Sequence, residues 1–429
     1  MPNAFNSSVS AALPGPEWLT DLRREAAEGI GDVVLPSADE EVWRYSRISE
    51  LDLDRYVPLT KQVSPLGPVP ISDAVDRNVV TLVLRNGWLE TSSISAEAAE
   101  LGVTVGRIGD LEDGATYFPS VLENPVDLFD HMNAAFTPEP IVIVIPDGVC
   151  LREPILIFLH TDADSAAVFP RLLMRCGSGS QATIVEHHSS TDVVSVVAPV
   201  LEAQVGNDAR LSHALVQDLG SEVRQFAHQV FHVGQSAVLE AFVAGLGGCY
   251  SRTRTDCRLV GRGGEARLTA AYHGEGSQTH DFRTFQEHAA PDTTSELLFK
   301  GALDDASRSV YSGLISVEPE AVRTRAYQTN RNIKLSPDAW AHSVPNLEIE
   351  TDDVICSHAS TVSPVDEEQL FYLESRGIPT AIAERLLVEG FFEDVLARAP
   401  TEPVALALRA TLVGRLVRRL HNSRTETPK

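Results

Sequence analysis

Cys356 and His358 are the residues of this 429-residue chain best placed for chemistry. They stand in the run VICSH (354–358), where Val354, Cys356 and His358 fall on alternate positions. Alternate residues of a strand share a face, so a thiolate and an imidazole could reach one soft or borderline metal ion together. Two donors leave a tetrahedral site half filled, and the others would come from elsewhere in the fold or from another chain. The competing expectation is that Cys356 is a small core residue and His358 is hydrogen-bonded locally.

Other candidates are weaker. His187 and His188 are adjacent, which puts their rings on opposite faces of a strand and argues against joint ligation. His228 and His232 have the spacing of a helical zinc pair, but Ala227, Gln229, Phe231 and Val233 alternate as in a strand. Cys249 and Cys257 flank Arg252 and Arg254, with Arg258 just after, a setting for a mildly activated thiol or for a solvated turn. Asp304 and Asp305 form a carboxylate pair of the kind a β-helical carbohydrate enzyme uses, but aromatic residues make up only 6% of the chain and such a groove needs them. GRGGEARLT, from Gly261, lacks the lysine-hydroxyl ending of a phosphate loop, and no Gly-x-Ser-x-Gly elbow or nucleotide fingerprint is present. The chain is therefore expected not to be an enzyme, and any ATPase would sit on another chain. Cys150, Cys176, Cys249 and Cys257 receive no role.

Composition narrows the partners. Lys and Arg number 35 against 60 Asp and Glu, a formal charge of −25 that disfavours nucleic acid and anionic membranes. Five cysteines without a Cys-x-x-Cys disfavour a secreted disulfide framework. With no basic n-region and only short apolar runs such as Ile141–Ile145, the expected location is the cytoplasm.

The elements that must position Cys356 and His358 can be traced along the chain. Residues 17–29 predict a helix with Trp18, Leu19, Leu22 and Ala26 on one side, and 40–53 a helical or turn region. Residues 57–78 hold four prolines and predict an extended linker; Val79–Leu84 and Trp88–Leu89 predict a hairpin about Asn86-Gly87; and 121–137 predict a helix. From Ile141 short strands and small-residue turns continue for roughly two hundred residues, far beyond an ordinary loop-rich insertion. Ala182, Ala209, Ala237, Ala266 and Ser295 recur at 27 to 29 residues. That period fits a parallel β-helix better than a sandwich or a propeller. Its open ends need cover, one from the N-terminal region and the other from the C-terminal helices. Asp366 with Gln369 predicts a capped helix ending at Gly377, a second spans Thr380–Glu389 and stops at Gly390, and a third follows Pro403 with Val404, Leu408, Leu412 and Leu416 in one stripe. The expected division is mixed helical (1–138), β-helical (139–363) and helical (364–429).

The stretch DDVICSHASTVSPVDEEQLFYLESRGI (352–378) resembles the C-terminal signature of the SufB/SufD family of iron–sulfur cluster assembly proteins, and the similarity continues through AERLLVEGFFEDVL (383–396). AFTPEPIVIVIPDGVCLREPI (135–155) is similar to the start of that family's β-helix, and residues 298–336 to its last coils. EEVWRYSRISEL (40–51) and the SHAST setting of His358 resemble the SufD side. The SufB pattern has an acidic residue where Ser357 stands and a cysteine in the preceding strand, which Leu347–Thr351 lacks. The resemblance implies a mainly β protein, a right-handed parallel β-helix between an N-terminal mixed domain and a C-terminal helical domain. It implies pairing with a SufB-like chain through the β-helices, binding of a SufC-like ABC ATPase through the C-terminal helices, and sulfur supplied indirectly from a cysteine desulfurase. On such a scaffold an iron–sulfur cluster is held transiently at the subunit interface. His358 matches a histidine at that interface implicated in assembly, and Cys356 a neighbouring cysteine. Three alternatives stand beside this: a SufB-like scaffold acting as a homodimer, a purely structural subunit in which Cys356 and His358 only pack, and a hydrolytic or lyase β-helix enzyme.

Overall fold

A computed structural model describes residues 4–70, 77–118, 121–122 and 124–425. From Ile141 to Pro364 the chain winds a parallel β-solenoid whose strands alternate between two sheets. The first sheet holds β1 (Ile141–Ile145), β3 (Arg171–Cys176), β5 (Val200–Val205), β7 (Val223–Val233), β9 (Tyr250–Leu259), β11 (Thr279–His288), β13 (Arg308–Val317) and β15 (Trp340–Ile349). The second holds β2 (Ile155–Thr161), β4 (Gln181–Ser190), β6 (Arg210–Asp218), β8 (Val238–Gly245), β10 (Glu265–Gly274), β12 (Thr294–Leu303), β14 (Thr324–Lys334) and β16 (Val354–Pro364). Each strand pairs in parallel with the next of its own sheet, for example Leu268 with Leu297 and Phe231 with Cys257. Inward positions of both sheets, among them Met174, Phe231 and Phe282 of the first and Ile184, Leu268 and Phe299 of the second, make one continuous core.

The turns explain the period. The turn that leads into each strand of the second sheet from β4 to β14 has a residue of positive φ just before that strand: Gly179, Asp208, Ser236, Gly263, Asp292 and Arg323. Glycine, and less easily short polar residues, accept that conformation. The alanine ladder, however, mixes two positions. In the observed register Ala182 pairs with Leu211, Leu211 with Leu239, and Leu239 with Ala266, whereas Ala209 and Ala237 lie in the turns. Small residues are needed both in the turn and at the first inward position, so similarity alone slipped by two residues.

The N-terminal end is closed as expected. Val80–Arg85 extends the second sheet in parallel beside β2, and Trp88–Ile94 folds back antiparallel across Asn86-Gly87, both at positive φ. Thr104–Arg107 runs antiparallel to β1. Helices α1 (Glu17–Gly29) and α2 (Leu128–Phe136) pack together, and α2 with the turns around Trp43 and Ile48 lies on the outer face of the first sheet. There Phe129 stacks on Phe226 at 3.7 Å between ring centres, and Arg252 sits over the Trp43 ring. The buried face of α1 is Leu19, Arg23 and Ala27, with Leu22 exposed, because Arg23 donates inward to the carbonyls of Pro14 and Pro138. Residues 40–53 form single turns, Glu41–Trp43 and Ile48–Glu50, rather than a helix. The 57–78 stretch begins with Val57–Pro58 paired to Ala166–Ala167, and its residues 71–76 lie outside the described residues.

The C-terminal end differs from expectation. Helices α3 (Glu367–Ser375), α4 (Thr380–Leu396) and α5 (Glu402–Thr425) follow β16. Helix α4 runs straight through Gly390, because Phe392, Val395 and Leu396 continue its buried side and outweigh the roughly 1 kcal/mol that glycine costs inside a helix. Helices α4 and α5 do not cover the open end. They lie along the outer face of the second sheet, where Val388, Phe392, Leu408 and Leu412 join Phe242, Ala244, Ala271 and Leu298 in one apolar cluster. Among the described residues β15 and β16 therefore end their sheets with an edge free of strand pairing. No described helix is long and apolar enough to cross a membrane.

Candidate functional site

The open end carries the two residues singled out by their chemistry. β16 is an eleven-residue strand paired on one side with β14, with Cys356 opposite Ala326, His358 opposite Gln328 and Ser360 opposite Asn330. The inward row of the last coil is thus Val354, Cys356, His358. Cys356 is half-buried and packs on the last small core cluster, with Ile315, Val317 and Ala326. Burial raises the Cys356 thiol above its ordinary pKa, and the Ala326 backbone amide offsets part of this. His358 is exposed, and no hydrogen bond to a described residue holds its ring. Packing alone describes Cys356 well and His358 poorly: the side chain points along the core row, yet no coil lies above it.

The strand before the junction runs on to Pro364, and Asp366 then caps α3 by accepting from the amides of Glu368 and Gln369 at 2.9 and 3.0 Å. Gly377 takes φ +84° at the helix end. Helix α3 buries none of its residues and leaves Phe371 and Tyr372 exposed by 71% and 57%. On the terminal strands Ile355 and Val362 are exposed as well. The last coil thus combines exposed apolar side chains with an open sheet edge, a combination that folded chains in water generally avoid.

The other candidates have structural partners. Inside the solenoid, burial alone would raise Glu186, but bonds from the rings of His188 and His213 outweigh it and hold its pKa down to about 2. His187 points the other way, to the α5 side, confirming opposite faces. His228 lies on strand β7, where burial disfavours its charge but Asp130 and Asp256 raise its pKa to about 10. Cys257 is a core residue, its thiol pushed up by burial to about 12, and Cys176 is the same; neither an activated thiol nor a solvated turn describes Cys257. Cys249 is half-buried and also raised by burial. Asp304 is buried against Ser336 and Arg419, while Asp305 holds a turn at positive φ, so this carboxylate pair faces no groove. His342, which the sequence did not single out, lies parallel to the Trp340 ring and tilted against the Tyr45 ring on the first sheet and is not joined to His358.

Among the described residues no group of three or more His, Cys, Asp or Glu could hold a metal ion. Cys356 and His358 supply one soft and one borderline donor at an open edge, half of what a tetrahedral iron or zinc centre requires.

Comparison with known proteins gives the same direction. The family model described as "SUF system FeS cluster assembly, SufBD core domain" matches residues 158–391. An iron–sulfur cluster assembly SufBD family protein of Mycobacterium leprae is 34% identical over 280 residues, covering 63% of this chain and 70% of that one. The iron–sulfur cluster assembly proteins SufD of Escherichia coli and Bacillus subtilis are each 26% identical, over 83% and 93% of this chain and 84% and 94% of their own. A parallel β-solenoid carrying a Cys-x-His at its open end, matched by that model over more than half of its length, makes this chain a member of the SufBD family of the SUF iron–sulfur cluster assembly system.

Proposed function

We propose that this chain is the SufD-like, non-ATPase scaffold subunit of a SufBCD-type complex in the cytoplasm, and that His358 takes part in building the cluster at its junction with a SufB-like chain. The observation that carries this is the incomplete donor pair on an unpaired edge strand. A second β-helix laid against β15 and β16 would satisfy their free backbone groups, cover Ile355 and Val362, and bring the missing donors to Cys356 and His358. The nascent cluster is cargo, its sulfur delivered indirectly from a cysteine desulfurase.

The segment 364–429 is proposed as the docking region for a SufC-like ATPase, with α3 offering Phe371 and Tyr372. ATP-driven closure of that partner would act on α3 and, through the short Pro364–Asp366 link, on the end of β16. Such a change of state needs contacts that differ between the open and closed partner.

Two outcomes are expected. With SufB-like and SufC-like proteins under anaerobic reconstitution, His358→Ala lowers the rate of cluster formation, read by absorbance, by about tenfold or more, the size of effect that disturbing a metal centre's surroundings brings. Assembly at the wild-type rate would remove His358 from the site. A chain truncated after Pro364 no longer retains the ATPase in co-purification, and retention would place the docking region elsewhere.

A further inference from the structure

Directly under His358 the solenoid interior contains a polar chain that the apolar core does not require. Tyr311, inward on β13, is fully buried; its hydroxyl lies 3.1 Å from Thr284 Oγ1 and accepts a short hydrogen bond from Gln328 Nε2 across the lumen. Gln328 is 1% exposed and stands on β14 in register with His358, so the two side chains leave neighbouring parallel strands about 4.8 Å apart on the same face. With Nε2 committed to Tyr311, the amide plane is fixed, and Gln328 Oε1 remains a buried acceptor without a partner. Leaving such an acceptor unmatched is costly, and the costs recur at functional positions.

The fold also makes room for this chain. A Cβ at Gly313, the inward residue of β13 two beyond Tyr311, would collide with both Gln328 Nε2 and the Tyr311 hydroxyl. Glycine at 313 therefore lets the amide and the phenol meet. The pair fixes Gln328 in one orientation, and that orientation leaves an acceptor free on the coil beneath the exposed imidazole.

We propose that Gln328 is the positioning residue for His358: the exposed imidazole, which bonds no described residue as it stands, turns onto the free amide oxygen, which then accepts the N–H of one ring nitrogen and leaves the lone pair of the other facing the open end. A ligating histidine whose second nitrogen is held in this way has a defined tautomer and ring direction. Tyr311 and Thr284 act one and two steps further back. The use of this arrangement rests on the role proposed above for His358, but its test does not.

The test is made on the full chain alone, labelled with 15N-histidine, at a pH of about 8.5, some two units above the ordinary imidazole pKa. The His358 ring signals are identified by their loss in His358→Ala. In the wild type one tautomer is expected to dominate by about fivefold to tenfold, the bias one hydrogen bond confers. Gln328→Met, which keeps the shape and removes the acceptor, moves the two ring nitrogens toward an averaged mixture. Gln328→Glu, which keeps an acceptor, retains the wild-type pattern. Should Gln328→Met fail to fold, Tyr311→Phe serves instead: it frees the Gln328 amide to rotate and is expected to shift the His358 signals in the same direction. Unchanged His358 signals in the Met or Phe variant, or the same loss in Gln328→Glu, overturn the proposal. A normal assembly rate in His358→Ala would leave these spectra as they are, so the two assignments fail separately.

Discussion

Gly301→Ala is expected to destabilise the protein by about 3–5 kcal/mol, combining an overpacked core with broken buried hydrogen bonds. Gly301 pairs with Tyr272 in the inward row, and a Cβ there would land on the Tyr272 ring. The ring cannot retreat without cost, because its hydroxyl is held by Asn332 Oδ1 at 2.7 Å and also meets Asn330 Nδ2 and Ser309 Oγ. One methyl group thus disturbs three coils. Gly106→Ala is the matched control: no heavy atom lies within 4 Å of its would-be Cβ. Denaturant midpoints compared with the wild type should fall sharply for Gly301→Ala and hardly for Gly106→Ala. Equal midpoints for the two variants would show that the Tyr272 ring is not locked.

Asp130→Asn carries the second large effect, about 3–5 kcal/mol, because it leaves a buried imidazolium short of its main counter-charge. His228 Nδ1 meets both carboxylate oxygens of Asp130 at 2.9 and 3.0 Å, and Nε2 lies 3.2 Å from Asp256. The pair joins α2 to the first sheet, so its loss loosens the N-terminal region from the solenoid. The pH dependence has a definite sign. The folded pKa of His228 is raised from 6.5 to about 10, so its contribution is complete below pH 6.5, declines as pH rises above that, and is lost as pH passes about 10. Wild-type stability should therefore fall across that window, and the slope should flatten in Asp130→Asn. An unchanged slope in the variant would mean that Asp130 is not what keeps His228 charged.

The two sites were unequally legible in the sequence. The period of small residues announced a solenoid because every coil needs the same left-handed turn, and Asp208 and Ser236 fill it as Gly179 and Gly263 do. The same small residues concealed the register, since alanine suits both the turn and the first inward position. The Cys356 and His358 face followed from strand alternation alone. Gln328 beneath them did not, because its neighbour in space is thirty residues away in sequence and nothing local marks an inward glutamine as buried. Helix periodicity likewise named Leu22 for the buried side of α1 and missed Arg23, whose guanidinium finds its carbonyl partners in the turn before the helix and in a loop 115 residues away. The placement of α4 and α5 was hidden for a related reason: a stripe such as Val404, Leu408, Leu412 and Leu416 states that a face is buried, not which surface buries it.

That placement bears on how the molecule comes apart. In a bare solenoid each coil answers mainly to its two neighbours, so the stack behaves as a chain of nearly independent equilibria and can fray from an end. Helix α5 crosses that stack lengthwise. Near Val404 and Leu408 it meets Phe158 of β2 and Val185 of β4; Arg415 reaches Asp218 at the end of β6; and Arg419 bonds the carbonyl of Leu335, just past β14. The fifteen rises from Val404 to Arg419 span about 22 Å of helix, close to the roughly 24 Å of the five strand spacings between β4 and β14. The helix works as a splint fastened at several coils, so opening one coil beneath it strains its attachments to the others. Fraying is left to the last strand and α3, which the splint does not fasten.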